Sequence, residues 1–162
     1  MKGYLSSFFI SIYIYSSKAI YLFYIFHPNP MSEYSFKKAE RLNSKKAINE
    51  LFSSSNSYGK STLRILWREA DKSEDNIRCK VLIAVPKRKI KNAVDRNRIK
   101  RMLKEIYRKN KSTINAFFEE KNRHCHLGIL FVGNSVATFD SLDKNLKILL
   151  DKLPIEYERY SQ

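Results

Sequence analysis

Glycine, proline, cysteine and acidic residues are all scarce in this chain of 162 residues. It contains four glycines, four prolines and two cysteines, whereas 43% of its residues are hydrophobic. This composition excludes a low-complexity or disordered chain. Two cysteines cannot form a disulfide framework, so we expect a reducing compartment, the cytoplasm. The length fits a single domain with a modest core.

The shortage of acidic residues leaves a large positive charge. The chain has 16 Asp and Glu against 31 Lys and Arg, which gives a formal net charge of +15. Such an excess predicts a polyanionic partner. The cations are concentrated in residues 87–111, where twelve Lys or Arg face only Asp95 and Glu105. This density predicts a surface that contacts phosphates.

Clustered carboxylates, which a metal-dependent nuclease needs to hold divalent ions, are also missing. The acids of segment 70–76 lie in a predicted turn, and Glu119 and Glu120 are adjacent, which separates them by about 100° on a helix. The His-Cys-His sequence at 124–126 resembles a metal site, but on a strand its histidines and thiol face opposite sides. We therefore expect no metal site and no catalytic residue in this chain.

Residues 1–30 differ in composition from the rest of the chain. They contain two lysines, no acidic residue and many aromatics. As a membrane-spanning helix this segment is poor, because serines and Lys18 interrupt its apolar residues. As a signal peptide it lacks a convincing small-residue cleavage site. We expect them to be a non-native or disordered extension, with translation starting at Met31, and a membrane-associated segment is the alternative. The expected domain is 31–153, followed by a C-terminal tail at 154–162.

Local patterns predict elements in the order α-β-β-α-β-α. Ser44 is a predicted N-cap for a short helix over 45–52, and the segment after it, 53–60, is polar. The predicted strands are 61–69, then 79–86 antiparallel to it, and 126–133. Asn92 and Asp95 form a capping pair that predicts a long basic helix from Ala93 to at least Lys109, and 141–153 is a closing helix.

The basic helix has two distinct faces. Its predicted core stripe consists of Ile99, Met102, Leu103, Ile106 and Tyr107. The opposite side carries Asn97, Arg101, Lys104 and Arg108, within about 60° of one another. Like charges one turn apart repel, at ~0.2–0.5 kcal/mol per pair. A solvated face would interleave acids to avoid this cost, so the pattern predicts binding to phosphates, which arginine can grip in two places.

The same helix carries a family signature. RNRIKRMLKEIYR at 96–108, preceded by VPKRKIKNAVD at 85–95, resembles the signature of the protein subunit of bacterial ribonuclease P, an Arg-Asn-Arg followed by Lys-Arg, an acid and a further Arg. The likeness extends to FKKAERLNSKKAINELF at 36–52, to the VLIAVPK strand, and to a terminal strand and helix. It covers roughly residues 34–153. Residues 1–30 have no family counterpart, and Ile48 stands where many members carry Phe.

The resemblance implies a single α+β (α/β sandwich) domain with a central mixed sheet and an uncommon left-handed βαβ crossover. It implies that the basic helix contacts the catalytic RNA and that a cleft between the first helix and the sheet holds the 5′ leader of precursor tRNA. The implied RNA-subunit contacts are Lys87, Arg88, Lys91, Arg96, Asn97, Arg98, Lys100, Arg101, Lys104 and Arg108. The implied cleft residues are Phe36, Lys37, Arg41, Phe52, Arg64, Leu66 and Arg68. Trp67, on the other side of its strand, is expected in the core, with base stacking as the alternative.

The resemblance also implies an endoribonuclease that acts as a ribonucleoprotein. Its chemistry and its Mg²⁺ would belong to the RNA subunit, with no cofactor bound by the protein alone, no protein partner required and no membrane. Two other classes stay open: a ribosomal or RNA-chaperone protein of similar fold without a leader cleft, and an acidic-lipid-binding protein that uses 1–30 with the basic patch. Whether the purified chain activates a ribonuclease P RNA distinguishes the ribonuclease P subunit from the ribosomal or RNA-chaperone protein. Whether 31–162 alone retains function distinguishes it from the lipid-binding protein.

Overall fold

The computed structural model describes residues 35–71 and 77–160; the expected extension at 1–30 lies outside them. A 3₁₀ turn at Lys38–Glu40 precedes helix α1, Lys45–Ser53. Strands β1, Asn56–Lys60, β2, Leu63–Ala70, and β3, Cys79–Ala84, follow. Helix α2, Ala93–Glu120, leads to strand β4, His124–Phe131, and to helix α3, Phe139–Tyr160.

Both predicted N-caps are confirmed. The Ser44 hydroxyl accepts a hydrogen bond from the Ala47 backbone N–H at 3.4 Å, and the Asn92 side-chain oxygen accepts one from Val94 N–H at 3.0 Å. Each cap satisfies a backbone donor that the first helical turn leaves without a partner. Helix α2 therefore begins at Ala93 as predicted, and it continues without a break to Glu120.

Strand β1 corrects the predicted element order. The predicted order has no strand in the polar segment after α1, but Asn56–Lys60 pairs antiparallel with β2 along its length. The order is therefore α-β-β-β-α-β-α. An edge strand exposes much of its surface, so it needs no alternating apolar pattern. In β1, Tyr58 makes the main core contact, and its hydroxyl donates to the Leu149 carbonyl.

The sheet is mixed, as predicted, with strand order β1-β2-β4-β3. β4 pairs antiparallel with β2 and parallel with β3. The expected antiparallel direction of β2 and β3 is confirmed, but β4 lies between them. The central place of β4 agrees with its burial, since most of its residues are buried on both faces. The β3-α2-β4 unit is the βαβ connection, and its left-handed crossover stays a prediction.

Helices cover both faces of the sheet. α2 and α3 pack on the face that carries Leu63, Ile65 and Trp67, and Trp67 is 1% exposed, which confirms its expected place in the core. α1 packs on the other face through Leu51, next to Leu66. The predicted stripe of α2 is confirmed: Ile99, Leu103, Ile106 and Tyr107 are buried, and Met102 is partly buried.

The last helix extends beyond the expected domain end at 153. α3 continues through Pro154 to Tyr160. Tyr157 is buried and makes edge-to-face contacts with Phe117 and Phe118, at ring-centroid distances of 5.8 and 5.1 Å. Residues 154–160 therefore belong to the domain, because aromatic packing compensates for the hydrogen bond that proline removes.

Candidate nucleic-acid interface

The basic loop before α2 is held in place by its own backbone and side chains. The Arg96 guanidinium donates to the carbonyl oxygens of Ile90 at 3.0 Å and Lys91 at 2.7 Å. Lys89 donates to the Asn134 side chain at 3.0 Å. Arg96, one of the residues implied as an RNA contact, therefore links the loop to the first turn of the helix.

Most of the implied RNA-binding residues form an exposed surface on this loop and helix. Lys87, Arg88, Lys91, Asn97, Arg98 and Arg101 are exposed, and Lys100 and Lys104 are partly exposed. We call these eight residues the basic surface. Its cations make no ion pair with another residue in the described ranges, so their charge is available to an anionic partner.

Arg108, at the end of the predicted row, has a carboxylate partner. Its guanidinium donates two hydrogen bonds to Glu105, at 2.8 and 2.7 Å. The Arg108 hydrogen bond holds the pKa of the Glu105 carboxyl below its usual value. Lys109 lies 3.7 Å from the same carboxylate. The positive face of α2 is therefore strongest in its first turns and is partly neutralised at Glu105.

A cleft of about 650 Å³ opens between the 3₁₀ turn, the start of α1 and the sheet. Its lining consists of Lys38, Ala39, Arg41, Leu42, Asn43, Ser44, Ala47, Lys80 and His126. Arg41 is the one implied cleft residue in this lining. The Arg41 guanidinium also lies over the Phe36 ring, 5.5 Å from its centroid.

The other implied cleft residues fall in three kinds of surroundings. Phe52, Lys37 and Arg64 are exposed outside the lining of the cleft, and Phe52 is 51% exposed. Leu66 was implied as a cleft residue, but α1 packs over it. It is 8% exposed and belongs to the smaller core cluster. Arg68 forms an ion pair with Glu50 of α1.

Phe36 has a packing role. Its ring meets Tyr107 of α2 edge to face, at a centroid distance of 5.5 Å. Nearby, the buried Lys111 forms an ion pair with Glu40 of the 3₁₀ turn. These two contacts fix the segment before α1 against α2, and so they hold one wall of the cleft in place.

Lys38, Lys80 and His126 line the cleft but were not identified from the sequence. Lys80 and His126 are direct neighbours because β3 and β4 pair in parallel at that position. A register between strands separated by a long helix cannot be read from local patterns. The only sequence signal was alternation, which placed both residues on the face opposite Cys79 and Cys125.

Two residues of the His-Cys-His segment, His124 and Cys125, have structural surroundings. The Nδ1 of His124 lies 3.0 Å from the Ile77 carbonyl and its Nε2 lies 3.2 Å from the Arg78 guanidinium. Since a carbonyl only accepts and a guanidinium only donates, both ring nitrogens are in use. Burial raises the pKa of the Cys125 thiol, which disfavours the thiolate. Within 35–71 and 77–160, no three His, Cys, Asp or Glu are grouped to hold a metal ion.

A second cavity, of about 570 Å³, lies near Trp67 and Tyr160. Its two cations are each paired with an acid: Lys121 with Glu158 at 2.7 Å, and Arg123 with Glu69 at 2.6 Å. This cavity therefore has no excess charge for an anion. In the described part of the chain, no helix is long and apolar enough to span a membrane.

Known proteins resemble this chain in sequence and in fold. A family model described as Ribonuclease P matches residues 36–154. The protein named Ribonuclease P protein component from Porphyromonas gingivalis is 27% identical, with 70% of this chain and 82% of that protein covered. The one from Chlorobium phaeobacteroides is also 27% identical, with 74% and 88% covered.

Two solved structures share the fold. The Staphylococcus aureus RNase P protein is 19% identical, with a TM-score of 0.55 and coverage of 70% of this chain and 94% of that one. The Thermotoga maritima RNase P protein is 20% identical, with a TM-score of 0.55 and coverage of 69% and 96%. At these identities the likeness demonstrates a common fold.

Proposed function

Since this chain belongs to the ribonuclease P protein family, we propose that it is the RNA-binding subunit of a ribonuclease P that removes the 5′ leader of precursor tRNA. The observation that carries the proposal is the basic surface. Its cations lie on the loop and on α2 and are exposed or partly exposed, and none of them forms an ion pair with another described residue. Neighbouring like charges do not stabilise the free protein, because they repel one another. Contact with the phosphates of an RNA partner offsets this repulsion.

In this proposal the basic surface binds the catalytic RNA subunit. Arg98 and Arg101 are exposed on α2, and each can contact one phosphate through two N–H groups. Lys87 and Arg88 extend the same positive region along the loop. Arg96 contributes indirectly, since its hydrogen bonds to the loop carbonyls orient these lysines and arginines.

The 5′ leader of precursor tRNA occupies the region between α1 and the sheet. Phe52 supports this assignment, because a half-exposed phenylalanine on α1 offers a face on which a single-stranded base can stack. Arg41, which lines the cleft at the start of α1, and the exposed Arg64 of β2 add positive charge to the same face of the sheet. A leader extends without base pairing, which suits a stacking surface flanked by cations.

We assign the cleavage chemistry to the RNA subunit, which would also hold the Mg²⁺ ions. The carboxylates of the described regions support this assignment of the chemistry to RNA, because several of them each form an ion pair with a different cation. Glu40 pairs with Lys111, Glu50 with Arg68, and Glu105 with Arg108. A two-metal nuclease needs such groups converged on one point instead. We propose that the protein acts in the cytoplasm, with the catalytic RNA and precursor tRNA as its partners.

The test is reconstitution of the ribonucleoprotein. The purified full chain is mixed with a ribonuclease P RNA and a precursor tRNA at a magnesium concentration where the RNA alone is slow. We expect faster cleavage at the mature 5′ end, with a larger effect for a long leader than for a leader of one nucleotide. Stimulation without leader dependence would favour the RNA-chaperone alternative, and binding without stimulation would contradict the proposal.

A further inference from the structure

The segment before α1 passes around the edge of the sheet. β3 is an edge strand, and Arg41 forms an isolated parallel bridge with its Val81. The Leu42 N–H donates to the Val81 carbonyl at 3.0 Å. Phe36 packs against the core cluster that contains the α2 stripe, whereas Leu42 is buried in the smaller cluster under α1. We call residues 36–42 the edge segment, since they connect the two faces of the sheet.

Glu40 attaches the edge segment to α2. One of its carboxylate oxygens, Oε1, accepts a hydrogen bond from the Lys111 ammonium in an ion pair. The other oxygen, Oε2, accepts a hydrogen bond from the Lys37 backbone N–H at 3.0 Å, within the 3₁₀ turn. A single carboxylate therefore fixes the turn internally and also binds it to a helix residue 71 positions further along the chain.

Both side chains of the Glu40–Lys111 pair are shielded from water. The Lys111 side chain is 7% exposed and that of Glu40 15%, whereas the side chains of the Lys121–Glu158 pair are 44% and 55% exposed. The cost of removing two charges from water offsets most of their attraction, so a buried ion pair adds little net stability. Separating the partners is costly, because it leaves a buried charge without compensation. The pair therefore disfavours every position of the edge segment in which the two groups are apart.

We infer that Glu40 and Lys111 are positioning residues for the leader-binding region, because their ion pair sets where the edge segment lies and thus where Arg41 is presented. The inference rests on the proposed function, in which the 5′ leader contacts this region. Lys111 is buried and acts without touching RNA. Arg41 is exposed, and its guanidinium lies over the Phe36 ring of the same segment. The pair contributes position to the site and little stability to the fold.

The test removes the ion pair without changing the net charge. In Glu40→Gln/Lys111→Met, the buried-pair variant, the glutamine oxygen can still accept from the Lys37 N–H, and methionine keeps an unbranched side chain in the core. Lys121→Met/Glu158→Gln is the control variant, with the same two substitutions at an exposed pair between α2 and α3. Overall attraction to RNA is the same in both, since each loses one positive and one negative charge. We expect both variants to melt within a few degrees of the wild type.

The first measurement follows the edge segment in the free full chain by amide hydrogen exchange. Exchange of the Leu42 N–H reports whether its bond to the Val81 carbonyl persists. We expect this exchange to become severalfold faster in the buried-pair variant and to stay unchanged in the control variant. The Val132 N–H, which donates to the Thr62 carbonyl at 2.8 Å, is the internal reference. Unchanged Leu42 exchange in the buried-pair variant would contradict the inference.

The second measurement follows cleavage by the holoenzyme reconstituted with a ribonuclease P RNA. The buried-pair variant should raise KM for a long-leader precursor tRNA by about tenfold, the factor expected when one contact of a charged group is lost. Its kcat, its KM for a leader of one nucleotide and its affinity for the RNA subunit should stay at wild-type values, because the basic surface is unchanged. A folding defect would instead affect all of these quantities. Equal KM values for the long leader in the buried-pair and control variants would overturn the positioning role.

Glu40→Asp tests position while both charges are kept. Its carboxylate is one methylene shorter, so it can bond Lys111 only if the edge segment moves toward α2. We expect a folded chain with a raised KM for the long leader and a normal KM for the leader of one nucleotide. If the buried-pair variant unfolds, the pair contributes more to stability than we infer, and Glu40→Asp decides the positioning role. Wild-type KM and wild-type Leu42 exchange in Glu40→Asp would then refute it.

These outcomes separate this inference from the proposed function. If the wild-type chain stimulates ribonuclease P RNA while the buried-pair variant keeps wild-type Leu42 exchange and KM, the function is retained and the positioning role is lost. If the wild-type chain fails to stimulate the RNA, the proposed function is lost. Faster Leu42 exchange in the buried-pair variant would then still assign the position of the edge segment to Glu40 and Lys111.

Discussion

Arg96 and Arg98 are two positions apart in the same motif, but their guanidinium groups have different surroundings. At 100° per residue they point about 160° apart around α2. Arg96 donates to two loop carbonyls, whereas Arg98 is exposed. The same residue type therefore stabilises the fold at one position and remains available to RNA at the other.

We predict that the two alanine variants affect different properties, RNA binding in one and stability in the other. Arg98→Ala should weaken binding to the RNA subunit and reduce the slope of log K against log salt by about 0.7–0.9, because one phosphate contact is lost. Arg96→Ala should lower the free energy of unfolding by about 1–3 kcal/mol, because hydrogen bonds from a charged donor are lost. Salt titrations and thermal melts measure both effects. Unchanged affinity and slope in Arg98→Ala would assign it to folding.

Phe52 provides a second prediction at the residue level. Because its side chain is 51% exposed, Phe52→Ala should change the free energy of unfolding by about 0.5 kcal/mol or less, whereas a core phenylalanine costs about 3–5 kcal/mol. Loss of base stacking should weaken binding of a long-leader substrate by about 1–3 kcal/mol. Thermal melts and KM values on long-leader and leaderless substrates test this. A leader-independent defect would remove Phe52 from the leader surface.

At the level of elements, the end of α3 depends on aromatic packing. Pro154 has no N–H to donate to the Leu150 carbonyl, which would normally weaken the helix at this turn. Tyr157 is buried against Phe117 and Phe118, and Tyr160 meets Trp67 edge to face at a centroid distance of 5.7 Å. These contacts attach the last turns of α3 to the core.

We predict that Tyr157→Ala lowers the free energy of unfolding by about 3–5 kcal/mol, since it creates a cavity between α2 and α3. Ile155→Ala is the control in the same helical turn, because Ile155 is 62% exposed. It should change stability by about 0.5 kcal/mol or less. Urea denaturation of both variants gives the comparison. Similar losses in the two variants would mean that the helix end is not held by burial of Tyr157.

At the level of the whole molecule, the sheet separates the two proposed binding regions. The basic surface belongs to α2 and its preceding loop, on one side of the sheet, and Phe52 belongs to α1, on the other. RNA-subunit binding and leader binding should therefore respond to different substitutions.

We predict that Arg101→Ala and Phe52→Ala affect different steps. Arg101→Ala should weaken holoenzyme assembly, while leader preference persists at protein concentrations that restore assembly. Phe52→Ala should leave assembly unchanged. In the double variant the two free-energy losses should add within about 0.5 kcal/mol, as for independent sites. Assembly titrations and single-turnover cleavage measure them. A larger coupling energy would indicate one continuous binding surface.

The sequence by itself determined the features that depend on residues close together in the chain. The caps at Ser44 and Asn92 act on backbone groups two or three positions away. The buried stripe of α2 follows from helical periodicity, and the core place of Trp67 follows from strand alternation. The basic surface could be predicted for the same reason, because one helix and one loop carry all of it.

Only the tertiary structure decided the features that depend on pairing between distant segments. Strand β1 lacks an alternating apolar pattern because it is an edge, and its presence depends on pairing with β2. Leu66 is buried because α1 packs over it. The cleft residues Lys80 and His126 meet because β3 and β4 share a parallel register across a helix of 28 residues. Strand register is a property of the assembled sheet, since a shift of one residue reverses which face every side chain occupies.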